Sequence, residues 1–329
     1  MLRSLAVATL VLGLGVSAAS AIDPIEIPTL SKTHPDGLPP VAERVPADPL
    51  VVDLEAEGRR LGTHGGEIRT LIGRPKDVRL INVWGYARLV GFDQHLALEP
   101  DILAAVDVEG ERIFTLHLRK GHKWSDGEPF TAEDFRYWWD DIVNNPELSP
   151  GGPDPFLLVD DQPPKFEVLD ETTVRFSWDA PNPQFLPNLA AARDPFIYRP
   201  AHYLKQFHEK YGDPDKIAAL VQEKKLRNWA ALHNQMDAMY DAMNPAIPSL
   251  QPWVPTPSAT ERRFVMMRNP YFHRVDTAGR QLPYADKVVM EVADGRLIAA
   301  KTQAGEADLQ ARGLSFSDIT VLKRGEREG

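Results

Sequence analysis

The sequence contains no cysteine among its 329 residues. A chain without thiols has no disulfide, no thiolate nucleophile and no cysteine-ligated metal. A bacterial lipoprotein anchor also needs a cysteine, so the sequence predicts that the protein is not a lipoprotein. Stability then has to come from burial, for which the 43% of hydrophobic residues are sufficient.

A basic surface is also missing. The chain has 37 Lys and Arg against 47 Asp and Glu, which gives a formal net charge of −10. Proteins that bind nucleic acid neutralise phosphates with an excess of basic residues. The charge balance therefore argues against a nucleic-acid partner.

The motifs of common enzymes are absent as well. The sequence has no G-x-S-x-G elbow, no P-loop and no H-E-x-x-H pair. Adjacent carboxylates such as Glu133 and Asp134 point apart on a helix, so they are interpreted as helix-start charges. The sequence predicts no enzyme, no catalytic residue and no cofactor.

Two histidines raise the question of a metal site. His117 and His122 lie near Asp126 across a turn, but a metal would need a third strong ligand and supporting hydrogen bonds. Surface histidines on a hairpin are the favoured interpretation. No metal site is predicted.

An export signal opens the chain. Residues 1–21 combine Arg3, an apolar run over residues 5–16 and the small residues Ala19-Ser20-Ala21, a pattern typical of a cleavable signal peptide. The run is shorter than the ~20 residues that span a bilayer, although an uncleaved anchor is the alternative. We expect cleavage after Ala21 and a periplasmic or other extracytoplasmic protein.

Proline dominates the next stretch. Seven prolines occur from Pro24 to Pro49, and residues 22–60 show no steady hydrophobic period. Because proline fixes φ and removes a hydrogen-bond donor, this stretch is predicted to be an extended leader without elements.

Strand and helix patterns alternate over the ordered body, residues 61–325. Alternating residues predict strands at 67–72, 112–118, 261–268 and 287–293 and a strand pair over 165–179. Caps and periodicity predict seven helices, and the class is therefore α/β, or mixed α+β. The predicted helices cover about 132–145 (capped by Thr131 with Asp134), 183–191, 201–211, 214–225, 229–243 (capped by Asn228), 295–305 and 315–325 (capped by Ser315, ended by Gly325).

Aromatic rings are the remaining candidates for ligand binding. Trp84 and Tyr86 fall in a loop-like stretch, and Trp253 lies in the proline-rich "SLQPWVPTP". Rings in loops can line a cleft for small polar solutes, or they can belong to the core, and the sequence leaves both open. Trp138, Trp139 and Trp229, at helical spacing, favour the core. The predicted ligand-binding residues are therefore Trp84, Tyr86 and Trp253.

The stretch "FTLHLRKGHKWSDGEPFTAEDFRYWWDDI" (114–142) resembles the signature of the family 5 extracytoplasmic solute-binding proteins of ABC transporters, the oligopeptide-, dipeptide- and nickel-binding group. "HGGEIRT" (64–70), "MRNPYFHRVDTAGRQLPYADKVVMEV" (267–292) and "AAKTQAGEAD" (299–308) extend the likeness in the family's order. By this resemblance the signature is scaffold. Arg119-Lys120 could face a partner, but a solvated turn is the favoured interpretation.

The resemblance implies a periplasmic-binding-protein-like fold of two lobes, of which this chain carries the N-terminal one. Lobe I would cover 61–325, with its core at 61–95 and 250–313 and a subdomain inserted at about 96–249. Residues 326–329 would begin the hinge towards a second lobe that the sequence does not contain.

The function that this resemblance implies is solute capture for an ABC importer, with membrane permease subunits as partners. The ligand would be a peptide, an oligosaccharide or a similar small molecule, and the chain could be a fragment, a split gene or an orphan lobe. An exported interaction or carbohydrate-binding module is the alternative, and an envelope hydrolase has only scattered carboxylates in its favour. Ligand identity, stability alone and oligomeric state are left open.

Overall fold

The structure is a computed structural model, and it describes residues 22–34, 37–56, 58–193, 195–257 and 262–328. The predicted signal peptide, residues 1–21, lies outside the described residues. Within the described part of the chain, no helix is both long enough and apolar enough to cross a membrane.

Helices and strands alternate along the chain, which confirms the mixed α/β class. The helices are α1 (Pro28–Thr33), α2 (Val41–Arg44), α3 (Leu80–Gly85), α4 (Ala132–Arg136), α5 (Phe185–Leu189), α6 (Ala201–Leu204), α7 (Pro214–Glu223), α8 (Trp229–Met236), α9 (Ile298–Gln303) and α10 (Ile319–Glu328). The strands are β1 (Leu50–Val52), β2 (Glu67–Ile72), β3 (Val90–Phe92), β4 (Leu98–Pro100), β5 (Leu103–Glu109), β6 (Ile113–Leu118), β7 (Lys165–Asp170), β8 (Thr173–Ser177), β9 (Trp253–Pro255), β10 (Arg263–Arg268), β11 (Arg274–Asp276) and β12 (Lys287–Val292).

The chain divides into two compact units. The inserted unit contains residues 88–120 and 130–201, and the main unit contains 22–87, 121–129 and the described residues after 201. The insertion predicted at about 96–249 overlaps the inserted unit but runs on into α7 and α8, which belong to the main unit.

The main unit is built on a four-stranded sheet in the order β2-β12-β10-β9. β12 runs antiparallel to β10 and parallel to β2, and the pairing with β2 joins residues more than 200 positions apart. One face of this sheet is apolar and carries a buried cluster, the main core. The main core consists of Ile72, Val78, Ile81, Ala242, Phe264, Met266, Val288 and Met290.

The opposite face of the same sheet carries ion pairs beside the buried side chains of Leu71 and Val289. Lys287 pairs with Glu67 at 2.7 Å, and Arg263 pairs with Glu291 at 3.4 Å. The strand predicted at 67–72 is confirmed, with Glu67 and Arg69 exposed and Thr70, Leu71 and Ile72 buried at its end.

The prediction that residues 22–60 form an extended leader without elements is wrong. This stretch contains α1, α2 and β1, and β1 pairs in parallel with β11. Its prolines include Pro28 in the first turn of α1, where a missing N–H costs nothing. The segment is held because it buries apolar side chains, among them Ile27 and Leu30, against the rest of the main unit.

A second antiparallel sheet, in the order β5-β6-β8-β7, forms the inserted unit. α4 begins at the predicted capping box, in which Thr131 and Asp134 satisfy each other's backbone N–H groups. The chain continues as a π-helical segment that buries Trp138 and Trp139 beside Phe176. Their predicted place in the core is confirmed.

Several predicted helix ends are wrong. The helix capped by Asn228 ends at Met236 rather than near 243, and Ala242 instead packs in the main core. Gly325 lies inside α10, although it was predicted to end that helix. A glycine costs a helix only ~1 kcal/mol relative to alanine, so it does not by itself end one.

Candidate functional site

The first aromatic pair lies at the end of α3. Trp84 is on the helix and Tyr86 is its C-cap, with φ 42° and ψ 45° in the left-handed region. The guanidinium Nη2 of Arg274 donates to the carbonyl oxygen of Tyr86 at 2.7 Å and holds this turn. The stretch was predicted to be a loop, whereas the structure makes it a short helix with a strained end.

The third predicted residue lies on an edge strand rather than in a loop. Trp253 begins β9 and sits opposite Arg268 of β10. Trp253 and Trp84 are both half-buried, and both pack against the main core. The structure thus places these two indoles on one apolar cluster.

Close backbone packing brings the two segments together. A side-chain carbon at Gly85 would lie 2.9 Å from the ring of Pro252, so only glycine fits between Trp84 and Tyr86. The amide Nε2 of Gln251 donates to the carbonyl oxygen of Ala87 at 2.9 Å. We call residues 84–87 and 251–253 together the aromatic wall.

Two polar atoms of the aromatic wall have no hydrogen-bond partner in the described part of the chain. These are the indole Nε1 of Trp253 and the amide Oε1 of Gln251, and both are shielded from solvent. A buried polar group without a partner costs about 1–3 kcal/mol. Such groups are typical of functional sites, where a ligand or water completes the bonding.

Buried polar groups beneath the wall fix its backbone. The side-chain amide Nδ2 of Asn269 donates to the carbonyl oxygen of Gln251 at 3.0 Å. The backbone N–H of Asn269 donates to the carbonyl oxygen of Pro252 at 2.8 Å. Burial lowers the pKa of Arg268, and the nearby carboxylate of Asp286, at 3.1 Å, opposes that shift. These buried hydrogen bonds hold the backbone of the aromatic wall in one position.

The hairpin at 121–129 was predicted to be scaffold with a surface histidine, but its histidine is not on the surface. His122 is buried, and its ring centroid lies 5.1 Å from that of His273. Asp126 instead pairs with His202 at 2.8 Å. Burial raises the pKa of Asp126, but the hydrogen bond and charge of His202 outweigh burial and leave that pKa lowered.

Arg119 and His117 of the signature lie in the inserted unit. Arg119 was predicted to lie in a solvated turn, but it is buried and its Nε donates to the carbonyl oxygen of Asp101 at 3.0 Å. His117 pairs with Asp107 at 2.8 Å on neighbouring strands. Among the residues that the structure describes, no group of three or more His, Asp or Glu could hold a metal ion.

Sequence reasoning missed the residues that join the wall. Gln251 and Asn269 are almost fully buried amides whose partners lie far away in the sequence. Gly85 had a usable signal, because a glycine between two aromatic residues often marks close backbone approach.

Comparison with known proteins identifies the family to which this chain belongs. The sequence profile of the bacterial extracellular solute-binding proteins, family 5, matches residues 97–327, which is well over half of the chain. The chain belongs to this family. The resemblance seen in the signature stretch is therefore confirmed.

Relatives of known name include members that bind different solutes. The periplasmic alpha-galactoside-binding protein of Rhizobium meliloti is 28% identical over 88% of this chain. The periplasmic oligopeptide-binding protein OppA of Escherichia coli is 25% identical over 68%. These family 5 relatives are periplasmic binding proteins rather than enzymes.

Solved structures show the same fold. An oligopeptide-binding protein OppA is 34% identical, covers 95% of this chain and superposes with a TM-score of 0.84. The binding protein MelB of Agrobacterium fabrum, solved with stachyose, gives 0.69 at 23% identity. This chain spans 42% of the Rhizobium protein, 49% of that OppA and 51% of MelB, about half of each family 5 relative.

Proposed function

We propose that this chain is part of the solute-capturing component of an ABC importer and performs no catalysis. It would bind a peptide-like or other small polar solute outside the cytoplasmic membrane and deliver it to permease subunits. Membership in family 5 and the names of the relatives support this proposal. Residues 1–21, with the pattern of a cleavable signal peptide ending at Ala21, support an extracytoplasmic location without a lipid anchor.

The aromatic wall is the observation that carries the proposal. Trp84 and Trp253 are half-buried, share one apolar support and lie on segments locked together by Gly85 and Gln251. Half-buried indoles offer a ligand a large apolar face at low entropic cost. Tyr86, at the end of α3, would present its ring from the same segment.

The relatives support two classes of ligand. An oligopeptide-binding protein shares 34% of its sequence and the fold of this chain, which favours a peptide. An alpha-galactoside-binding relative matches along 88% of the chain, which favours an oligosaccharide. Aromatic faces serve both classes, so the wall alone does not choose between them.

A stand-alone exported binding module is the alternative function. Such a module needs a surface without large apolar patches. The main unit instead exposes Leu297, Leu309 and Phe316, the last with 87% of its surface accessible. This exposure favours a lobe that packs against further protein over a self-sufficient module.

The experiment measures binding of a defined tetrapeptide pool and of stachyose to the purified chain by saturation-transfer NMR, which detects weak complexes. Trp253→Ala is expected to weaken binding of the preferred class by about 2 kcal/mol, roughly thirtyfold, because a stacked aromatic face is lost. Trp84→Ala is expected to act in the same direction.

Trp229→Ala is the matched control, because this indole is also half-buried but packs against His208, with ring centroids 4.8 Å apart. Circular dichroism verifies that each variant folds. Equal affinity of the Trp253 variant and the native chain, or no binding of either solute class, would contradict the proposal.

A further inference from the structure

The sheet of the inserted unit ends at an open edge strand. β7 is the last strand in the order β5-β6-β8-β7, and among the described residues no strand pairs with its outer side. An edge strand directs a row of backbone N–H and C=O groups outward, and this row is a template for a further strand. The outer side of β7 can therefore pair with another extended segment.

The main unit, by contrast, covers the outer side of its edge strand β2. Oδ2 of Asp308 accepts from the N–H of Arg69 at 2.9 Å, and Oε1 of Gln310 accepts from the N–H of Leu71 at 2.9 Å. Nε2 of Gln310 also donates to the carbonyl oxygen of Leu71 at 2.8 Å. In the described part of the chain, no side chain from outside the β7–β8 hairpin bonds the β7 backbone in this way.

Apolar side chains are exposed on β7. Val168 and Leu169 each have 44% of their surface accessible. Val168 lies opposite the fully buried Val174 of β8, so its side chain points to the face that carries the core of this sheet. It stays exposed because no strand lies beyond it. The other edge strand of the same sheet, β5, exposes no large hydrophobic side chain among the described residues.

The charge of the inserted unit indicates which kind of strand would fit. This unit has 19 Asp and Glu against 9 Lys and Arg, whereas the rest of the chain has 28 of each. Exposed acidic side chains flank β7 at both ends. Asp160 and Asp179 line a hollow of about 360 Å³ near its start, and Asp170 and Glu171 lie at its end. A basic segment is therefore attracted to this edge, and an acidic one is repelled.

We propose that β7 accepts, as an added strand, an extended segment of a partner protein in which Lys or Arg alternates with apolar residues. Backbone hydrogen bonds would provide affinity, and the alternating side chains would provide specificity. A lysine on an edge strand usually opposes such pairing, but Lys165 is already paired with Glu167 at 2.8 Å. The register shift between Val168 and Asp170 interrupts the ladder, so the added strand would pair along residues 165–168.

The test titrates the full chain with three capped heptapeptides and follows its backbone amide signals by NMR. The first peptide alternates Lys and Val, the second has the same sequence with every backbone amide N-methylated, and the third alternates Glu and Val. The first is expected to shift the signals of residues 165–169 and to bind at least about tenfold more tightly than the others. The second lacks backbone donors, and the third has the wrong charge.

Val168→Lys places a positive charge beside the added strand and is expected to weaken the Lys-Val peptide at least about fivefold. Val321→Lys is the matched control, because Val321 is also an exposed valine, at 39%, but lies on α10 of the main unit. It is expected to leave binding within about twofold. Circular dichroism verifies that both variants fold.

Three results would overturn the assignment of β7. These are equal binding of the N-methylated peptide, which would mean attraction by charge alone, shifts confined to β5, and no detectable binding of the Lys-Val peptide. β7 belongs to the inserted unit and the aromatic wall to the main unit. Failure at β7 would therefore leave the proposed solute capture, which is tested at Trp253, intact.

Discussion

The opening and closing segments of the main unit behave in opposite ways. Residues 22–52 look featureless in sequence, yet they bury Leu30 and Arg44 almost completely. Residues 295–328 carry clear helix signals and do form α9 and α10, yet they leave Leu309 and Phe316 exposed. Local pattern predicted the helices of the closing segment, but it predicted neither the elements of the opening segment nor how deeply its side chains are buried.

The anchors of the two segments differ in kind. The guanidinium of Arg44 is buried, pairs with Glu26 at 2.7 Å and donates to the carbonyl oxygen of Pro270 and to Oε1 of Gln281.

The closing segment is joined through the exposed pair of Arg69 and Asp308, through the side-chain amide of Gln310 bonded to the backbone of Leu71, and through Ile298, which is buried against Leu71. Water and salt screen exposed pairs, so they contribute little to stability, whereas removing a buried partner costs considerably more.

The largest effect is expected for Arg44→Ala, which removes the centre of the opening segment's anchor. It removes a donor from the buried Oε1 of Gln281 and opens a cavity, so we expect the free energy of unfolding to fall by about 4 kcal/mol. Urea unfolding followed by circular dichroism measures this.

Arg324→Ala is the matched control, because Arg324 is an exposed arginine on α10 of the closing segment. It is expected to change stability by less than about 0.5 kcal/mol. Equal effects of the two substitutions would remove the contrast between the segments.

A smaller effect is expected from apolar side chains in the same two segments. Leu30 is 2% exposed. Leu30→Ala is expected to lower the free energy of unfolding by about 2.5 kcal/mol, because apolar burial is lost and a cavity is left. Phe316→Ala is expected to change stability by less than about 0.5 kcal/mol, since its ring is already in water. The same urea experiment compares them, and a larger loss for Phe316 would reverse the interpretation.

Much of the fold could be predicted because its signals are local. The caps at Thr131, Asn228 and Ser315 and the sequence alternation that predicted β2 and β6 depend on near neighbours, and the structure has these caps and these strands. The opening segment could not be predicted, because the acceptors of Arg44 lie 226 and 237 positions away.

The same division applies to the candidate site. Residue type and loop-like context were enough to single out Trp84 and Trp253, and the structure brings their segments together. Gln251, which joins them, carries no local signal, because its role depends on the carbonyl oxygen of Ala87. A local sequence pattern does not identify residues whose hydrogen-bond partners are backbone atoms far away in the sequence.

The smallest effect concerns the exposed anchor of the closing segment. Hydrogen bonds from Arg69 lower the pKa of the Asp308 carboxylate from 3.8 to about 2. The larger contribution comes from the guanidinium of Arg69, and the smaller one from its backbone N–H. Because the folded pKa is lowered, the stabilisation is present above pH 3.8 and is lost as pH falls through about 2.

Arg69→Ala removes the side-chain bonds but keeps the backbone N–H, so the pKa of Asp308 is expected to rise only part of the way towards 3.8. An NMR titration of the carboxyl carbons measures this, with Asp294 as internal control because its pKa, also about 2, is lowered by Arg296 instead. Amide exchange of Leu309, whose N–H is donated to the carbonyl oxygen of Arg69, is expected to quicken in the variant at neutral pH. An unchanged pKa of Asp308, together with unchanged exchange, would mean that the closing segment is anchored by something other than this pair.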